Sequence, residues 1–185
     1  MDLPALPILG GIYGVSELGL ALTKRAKGCS ESRDRRSILF LWGAIVGGMF
    51  AASLVSHTMP AFKLPSELYV YGFAGFCCGL VVRWYAILYL GRFFTVDVAI
   101  RSDHRVVDSG PYHLVRHPSY LGALLAFLGL GVCWLNWIAI LVVLVPIAAA
   151  FAFRIRVEEA ALLESLGDAY KAYSARTKRI IPFIY

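Results

Sequence analysis

Apolar residues in this chain fall into long blocks separated by short polar segments. The blocks lie at residues 3–23, 38–56, 68–90 and 121–153. A transmembrane helix needs about 20 mostly apolar residues, so each of the first three blocks is long enough for one span. The fourth has 33 residues without a charged side chain, which is too long for one span and slightly short for two. Asn136 lies near its middle between Trp134 and Trp137, which predicts a tight hairpin with spans at 119–135 and 137–153.

The pattern predicts an all-α integral membrane protein of about five transmembrane helices, forming a single membrane domain over residues 1–185. Composition agrees, because 59% of the residues are hydrophobic and only 16% are charged, against about a quarter in soluble domains. A soluble enzyme, a nucleic-acid-binding protein and a disordered chain are therefore disfavoured. Any chemistry must lie on the polar segments between the apolar blocks.

The distribution of basic residues predicts the orientation in the membrane. Of 18 lysines and arginines, six lie in residues 24–37, four in 91–120 and six in 154–185. With five crossings these three segments share one side, which the positive-inside rule makes cytoplasmic. We therefore expect the N-terminus outside and the C-terminus inside, in the inner membrane if the protein is bacterial. The net charge of +6 is explained by orientation and contact with anionic headgroups, without a nucleic acid.

Two predicted cytoplasmic segments, 91–120 and 154–185, are rich in groups that can do chemistry. The first holds His104, His113 and His117, whose spacing fits no usual zinc pattern, so no metal site is predicted. Pro118 suits the first turn of a helix, and His117 and Tyr120 would then share one helical face. The N–H groups of that turn would point at whatever binds there.

The second segment continues the last predicted helix. Arg154 and Glu158 are four residues apart and would lie on one face of it. An apolar stripe follows at helical spacing and predicts packing on the membrane surface or on the first segment; it comprises Leu162, Leu163, Leu166, Tyr170 and Tyr173. Interfacial anchoring is the plainer alternative for these histidines and arginines. Arg83, within the third block, could line a cavity or only extend toward the nearby membrane surface.

Gly110-Pro-Tyr-His-Leu-Val-Arg-His-Pro-Ser-Tyr-Leu-Gly122, with Glu158-Glu159 further along, resembles the isoprenylcysteine carboxyl methyltransferase family. The closing segment from Gly167 to Ile184 is similar to the end of that family, so the resemblance covers about residues 83–185. The motif is shared more loosely with phospholipid N-methyltransferases. The resemblance implies an integral membrane methyltransferase that uses S-adenosyl-L-methionine and releases S-adenosyl-L-homocysteine.

The resemblance also implies roles for individual residues. Arg154 matches the arginine that contacts the substrate carboxylate, and Asp97 falls where one further contact can lie, although its residue type differs. The residues that match the cofactor contacts are His104, Arg105, Val106, Val107, Tyr112, His117, Pro118, Ser119, Tyr120 and Glu158.

These residue types suit the expected cofactor. Glu158 can accept from the ammonium of its amino-acid end, while His117 and backbone N–H groups can bind the carboxylate. Tyr112 and Tyr120 can stack on adenine or hydrogen-bond the ribose. A carboxylate substrate is ionised at pH 7 and needs only a cation such as Arg154 to orient it. An amine must first lose a proton, so carboxyl O-methylation is favoured.

Other interpretations remain open at the level of sequence. They are a phospholipid or other small-molecule N- or S-methyltransferase, a non-catalytic membrane scaffold or channel-like bundle, and a reductase on a similar fold. A Rossmann methyltransferase is disfavoured, because no glycine-rich fingerprint follows a predicted strand. The expected partners are the lipid bilayer and a lipidic or prenylated substrate; neither a nucleic acid nor a protein partner is predicted.

Overall fold

The computed structural model describes residues 5–23, 32–96 and 105–182, with the backbone alone for 32–35. Within these ranges the chain forms the helices α1 (Leu6–Thr23), α2 (Ser32–Thr58), α3 (Leu68–Leu90), α4 (Pro111–Leu114), α5 (Pro118–Cys133) and α6 (Trp137–Arg176). Short 3₁₀ turns follow α2 and α3, at Pro60–Phe62 and Gly91–Phe93. The described part of the chain has isolated β-bridges but no strand, so the all-α prediction is confirmed.

The helices coincide with the predicted apolar blocks. In the described ranges α1, α2, α3 and α6 are long and apolar enough to cross a membrane, as expected of an integral membrane protein. The predicted hairpin is present, but its first arm, α5, has only 16 residues. At 1.5 Å per residue α5 spans about 24 Å, less than the ~30 Å hydrocarbon core. The number of full crossings therefore stays a prediction.

Helices α3 and α5 approach each other through glycines. A Cβ on Gly79 would lie 2.2 Å from the backbone nitrogen of Ala126, and one on Gly129 would lie 2.2 Å from that of Phe76. Small residues at a helix crossing let the two backbones touch, which is how helices gain packing energy where water supplies no hydrophobic drive. This crossing positions the beginning of α5 and the end of α3 for the site described below.

The outer helices pack around this pair. Helix α1 contacts α5 through the rings of Tyr13 and Phe127, whose centroids are 4.6 Å apart. It is also tied to α3, because the indole nitrogen of Trp84 donates to the Ser16 hydroxyl at 2.9 Å. Helix α2 lies along α6. The buried core that results contains Leu9, Ile45, Phe76, Phe127, Leu130, Val143, Ile147 and Phe151.

Asn136 organises the bend of the α5–α6 hairpin. Its side-chain oxygen accepts from the backbone N–H groups of Ile138 at 3.0 Å and Ala139 at 3.2 Å. Its amide nitrogen donates to the carbonyl of Met59 at 3.0 Å, which ties the bend to the loop after α2. The side chain is fully buried. Asn136 therefore caps α6 and satisfies a backbone carbonyl at the same time.

We expect Asn136→Leu to destabilise the protein by about 1–3 kcal/mol, because it removes the cap and leaves buried backbone groups unpaired. Asn136→Ser should cost less, since serine is a good cap but cannot reach Met59 in the same way. Thermal unfolding in detergent micelles measures both variants. Equal unfolding temperatures for the wild type and Asn136→Leu would contradict the role of the cap.

At the opposite end of the bundle, α6 extends well beyond the apolar block. The residues from Trp137 to the break at Gly167 correspond to about 45 Å, roughly one and a half times the thickness of the hydrocarbon core. The helix breaks at Gly167, whose φ of 53° and ψ of −128° are accessible to glycine but strained for other residues. The chain then returns, and the carbonyls of Lys178 and Arg179 accept from the backbone N–H groups of Arg116 and His117 at 2.8 and 2.9 Å. We call this end of the bundle the site end.

Candidate functional site

A cavity opens at the site end between the long helices. Each of them contributes to its wall, with Glu17 from α1, Trp42 from α2, Arg83 from α3, Tyr120 from α5 and Arg154 from α6. The empty space inside it, counting the part open to the outside, is about 1410 Å³.

Most of the site residues implied by the family resemblance line this cavity. They are Arg105, Val106, Val107, Tyr112, His117, Ser119, Tyr120, Arg154 and Glu158. Pro118 does not: it is buried at the first position of α5, where its missing N–H is no loss. His104 and Asp97 lie outside the described residues. The structure therefore brings the two sequence segments together around one space.

Arg154, Tyr120 and Glu158 form a connected chain in the cavity wall. The Nε of Arg154 donates to the Tyr120 hydroxyl at 3.1 Å, and that hydroxyl donates to Oε2 of Glu158 at 2.8 Å. Arg154 also donates from Nη1 to the Ser37 hydroxyl at 2.9 Å and from Nη2 to the carbonyl of Val96. It is 5% exposed. The guanidinium is thus held in one orientation by α2, α5 and the segment after α3.

His117 lies between two carboxylates. Its Nε2 is 3.3 Å from Oε1 of Glu159, and its Nδ1 is 3.9 Å from Oε2 of Glu158. The imidazole also stacks on Tyr120, with ring centroids 5.5 Å apart and an interplanar angle of 21°. The predicted shared face of His117 and Tyr120 is confirmed. Both ring nitrogens face acidic groups, so the imidazole is poorly placed to bind another carboxylate.

Glu159 forms ion pairs with arginines and does not line the cavity. Arg116 donates to its Oε1 at 2.7 Å and Arg179 to its Oε2 at 2.8 Å. Burial alone would raise the pKa of Glu159, but hydrogen bonds from His117, Arg179 and Arg116 lower it to about 2. A carboxylate with such a low pKa is a weak base. Glu159 is therefore suited to fastening the C-terminal segment, not to removing a proton from a substrate.

The first turn of α5 offers fewer N–H groups than the sequence predicted. The N–H of His117 is taken by the carbonyl of Arg179 at 2.9 Å, and that of Tyr120 by the carbonyl of His117 at 3.1 Å. Pro118 has none. The N–H of His117 is occupied because the C-terminal segment returns in the tertiary structure and pairs with the chain just before α5. A ligand carboxylate in the cavity therefore cannot use the N–H groups of His117 and Tyr120.

Arg83 lines the cavity and does not merely extend to the membrane surface. It donates from Nε and Nη2 to both carboxylate oxygens of Glu17, at 2.7 and 2.8 Å, and from Nη1 to the carbonyl of Ser119 at 3.2 Å. A bidentate pair of this kind satisfies both charges at membrane depth. This pairing was not predicted, although Glu17 and Arg83 are each the single charge in their apolar blocks and have opposite signs.

The apolar stripe after Glu158 packs toward the first segment, one of its two predicted alternatives. Leu162, Leu166, Tyr170 and Tyr173 all line the cavity, whereas Leu163 is exposed. The hydroxyl of Tyr173 donates to the carbonyl of Tyr112 at 2.6 Å. These wall residues were missing from the predicted site, and their only signal in the sequence was the helical spacing.

Tyr112 is fixed inside the protein. Its hydroxyl donates to the carbonyl of Ala86 at 3.2 Å, and only 7% of the residue is exposed. Burial, together with the negative charge of Glu158, raises the pKa of Tyr112, so the phenol stays neutral and is a poor acid. This argues against Tyr112 as the proton donor of a reductase.

The wall of the cavity is polar on one part and apolar on another. Helix α2 supplies the apolar part, through Ile38, Leu41, Trp42 and Ile45. The polar part, described above, lies on α5 and α6, together with Glu17 of α1 and Arg83 of α3. Within the described ranges no group of three or more histidine, cysteine or acidic side chains is arranged to hold a metal ion. The arrangement can bind an amphipathic ligand beside an ionic one.

Comparison with known proteins gives consistent matches. Residues 70–164 match the profile of the isoprenylcysteine carboxyl methyltransferase (ICMT) family. The chain is similar to protein-S-isoprenylcysteine O-methyltransferase B of Arabidopsis thaliana, with 34% identity over 62% of this chain and 59% of the plant protein. It is also similar to the protein-S-isoprenylcysteine O-methyltransferase of Schizosaccharomyces pombe, with 33% identity over 75% of this chain and 61% of the yeast protein. The chain thus spans about three fifths of the length of these relatives.

A solved structure agrees with the sequence matches. The structure of the eukaryotic intramembrane Ras methyltransferase ICMT is similar to this chain, with a TM-score of 0.61 and 32% sequence identity. The similarity covers 76% of this chain and 51% of that one. The profile match begins within α3 and ends within α6, so it contains the α5 motif and both Arg154 and Glu158.

Proposed function

Because this chain belongs to the isoprenylcysteine carboxyl methyltransferase family, we propose that it transfers a methyl group from S-adenosylmethionine to the carboxylate of an isoprenylcysteine-like substrate. One observation carries the proposal: Arg154 lies in the wall of a cavity that is ionic near Glu158 and apolar along α2. That arrangement can hold a charged cofactor and a lipid carboxylate next to each other.

The residues of the polar part fit the proposed cofactor. When bound, S-adenosylmethionine supplies an electrophilic methyl group on a sulfonium sulfur. Glu158 uses its Oε2 to accept from Tyr120 and keeps acceptor capacity for the ammonium of the amino-acid end. Tyr120 keeps that carboxylate in place, and Val106 and Val107 offer an apolar wall for the nucleoside. His104, Arg105, Tyr112, His117, Pro118 and Ser119 remain proposed contacts or supports of the same site.

Arg154 would orient the substrate carboxylate. A carboxylate is already ionised at pH 7, so the protein needs to supply orientation and charge but no base. A planar guanidinium provides two parallel donors for this purpose. The hydrogen bonds to Ser37 and Tyr120 keep the group from rotating, and α2 lies beside it for the isoprenoid tail. We also propose that the site end faces the cytoplasm, because most basic residues of the chain fall on its segments.

Methylation of a phospholipid amine is less well supported. An amine must lose a proton before it can attack, but Glu159 is committed to Arg116 and Arg179, and Glu17 is committed to Arg83. A non-catalytic scaffold would not need an arginine and a carboxylate linked through one tyrosine in a cavity. Both alternatives are outcomes of the experiment below.

The test uses the detergent-purified protein with methyl-labelled S-adenosylmethionine and either S-farnesylcysteine or phosphatidylethanolamine. We expect label on S-farnesylcysteine that mild base releases as methanol, because esters hydrolyse and N-methyl amines do not. Base-stable label on phosphatidylethanolamine would overturn carboxyl methylation. Absence of labelling, with no thermal stabilisation by S-adenosylhomocysteine, would favour the scaffold, since a ligand that binds the folded state must stabilise it.

Glu158→Gln should weaken S-adenosylhomocysteine binding by about tenfold or more. The substitution keeps the shape of the side chain and an acceptor for Tyr120, but it removes the charge that we assign to the ammonium. Isothermal titration calorimetry of the purified variant measures the change. Glu164→Gln is the matched control, because Glu164 lies exposed on the same helix and outside the cavity. Equal affinity in wild type and Glu158→Gln would remove Glu158 from the ligand site.

A further inference from the structure

The hydroxyl of Tyr170 is buried and unused. Tyr170 lines the cavity and is 5% exposed, yet its hydroxyl finds no hydrogen-bond partner among the described residues. Its neighbour Tyr173, whose ring centroid lies 6.1 Å away, uses its own hydroxyl to bind the carbonyl of Tyr112. A buried polar group without a partner is costly and rare in native proteins. An unpaired donor at a cavity wall points to a ligand that completes it.

Tyr170 lies in the part of α6 that follows the break in the helix. The break in α6 is at Gly167, and Tyr170, three residues after it, lines the cavity. Tyr170 lies near Glu159, Arg116 and Glu158, whose charges all act on its phenol. Burial, reinforced by the negative charge of Glu159, raises the pKa of Tyr170, which keeps the hydroxyl protonated and able to donate. The group therefore lies at the ionic part of the cavity.

The proposed cofactor brings a carboxylate that this part of the cavity must satisfy. Glu158 suits the ammonium of the amino-acid end, but it repels the carboxylate beside it. Several of the expected donors are engaged, because the N–H groups of His117 and Tyr120 bind backbone carbonyls and both nitrogens of His117 face Glu158 and Glu159. A protonated phenol donates to a carboxylate without adding a charge.

We propose that the Tyr170 hydroxyl donates a hydrogen bond to the α-carboxylate of the bound S-adenosylmethionine or S-adenosylhomocysteine. The assignment rests on the proposed function and adds a cofactor-binding residue to it. The hydroxyl selects the amino-acid end of the ligand, and it is paired only when the ligand is present.

Tyr170→Phe tests this, because it removes only the hydroxyl. By calorimetry we expect S-adenosylhomocysteine affinity to fall about tenfold. The unfolding temperature of the ligand-free variant should not fall, since no protein partner is lost. Tyr71→Phe, on the exposed face of α3 and away from the cavity, is the matched control.

A second ligand identifies the group that is bound. Decarboxylated S-adenosylhomocysteine lacks only the carboxylate, so the wild type should bind it more weakly than the parent compound. In Tyr170→Phe that preference should shrink by about tenfold, because the hydroxyl that reads the carboxylate is gone. An undiminished preference, or an equal loss of affinity for both compounds, would overturn the assignment.

Two further results separate the possible failures. A lower unfolding temperature of ligand-free Tyr170→Phe would mean that the hydroxyl binds another part of the protein, and the inference would fall alone. If the wild type itself binds neither compound, the proposed function fails and the inference fails with it. If the wild type binds both compounds and Tyr170→Phe binds them equally well, only the role of Tyr170 is wrong.

Discussion

Arg154→Ala should reduce methyl transfer by about a hundredfold or more, while the protein still binds S-adenosylhomocysteine. The guanidinium is the group that we assign to the substrate carboxylate, and its loss leaves that carboxylate without orientation in a cavity that also contains Glu17 and Glu158. Cofactor binding should weaken only modestly. Arg154 reaches Glu158 through the Tyr120 hydroxyl, and Tyr120 still donates to Glu158 without it.

Activity and binding must be measured on the same preparation of Arg154→Ala. Turnover of S-farnesylcysteine measures activity, and calorimetry with S-adenosylhomocysteine measures cofactor binding. Arg156→Ala is the control, because Arg156 is exposed on the same helix and does not line the cavity. If Arg154→Ala loses cofactor affinity as severely as turnover, Arg154 belongs to the cofactor site instead.

Arg154→Lys keeps the experiment decisive if the alanine variant does not fold. Arg154 holds Ser37 of α2 and the carbonyl of Val96, so its removal affects more than one element. Lysine keeps the charge but lacks the planar pair of donors. We expect Arg154→Lys to fold and to show intermediate turnover, with a raised KM for the substrate. Full activity in Arg154→Lys would contradict recognition by two parallel donors.

Gly129→Leu is expected to prevent the assembly of the bundle. Even the first added carbon would lie 2.2 Å from the backbone nitrogen of Phe76 and 2.5 Å from the carbonyl oxygen of Gly72. Backbone cannot move aside as a flexible side chain can, so the loss should exceed the ~1–3 kcal/mol typical of overpacking in a core. Separating α3 from α5 would also separate Arg83 from the carbonyl of Ser119 and so distort the cavity.

Size-exclusion chromatography and thermal unfolding in detergent measure this effect. Gly129→Ala is the smallest test and should already lower the unfolding temperature, because its Cβ meets the same backbone. Gly47→Leu is the control, since Gly47 lies in α2 with no heavy atom within 4 Å of the added carbon. It should fold as well as the wild type, helped slightly by the higher helix propensity of leucine. An unchanged unfolding temperature for Gly129→Ala would contradict the close crossing.

The positions of the helices could be predicted from sequence because each membrane span is a continuous run of apolar residues, which is a local property of the chain. The bend at Asn136 was predictable for the same reason, since a polar residue between two tryptophans interrupts an apolar block. The contact that fixes the bend was not predictable, because Asn136 donates to a carbonyl in the loop after α2, far away in the sequence. The spacing of Arg154 and Glu158 put them on one helical face, but only the structure shows that Tyr120 links them.

The sequence by itself determined the all-α membrane architecture, the two polar segments and part of the cavity wall. The length of an apolar block and the spacing of motif residues are local properties, so both can be read directly from the sequence. Tertiary structure alone decided the partner of each polar group. It paired Arg83 with Glu17, used the N–H of His117 for the C-terminal segment, and left the Tyr170 hydroxyl unpaired among the described residues. The physical reason is that hydrogen bonds and ion pairs form over a few ångströms in space, between residues that can be 60 or more positions apart.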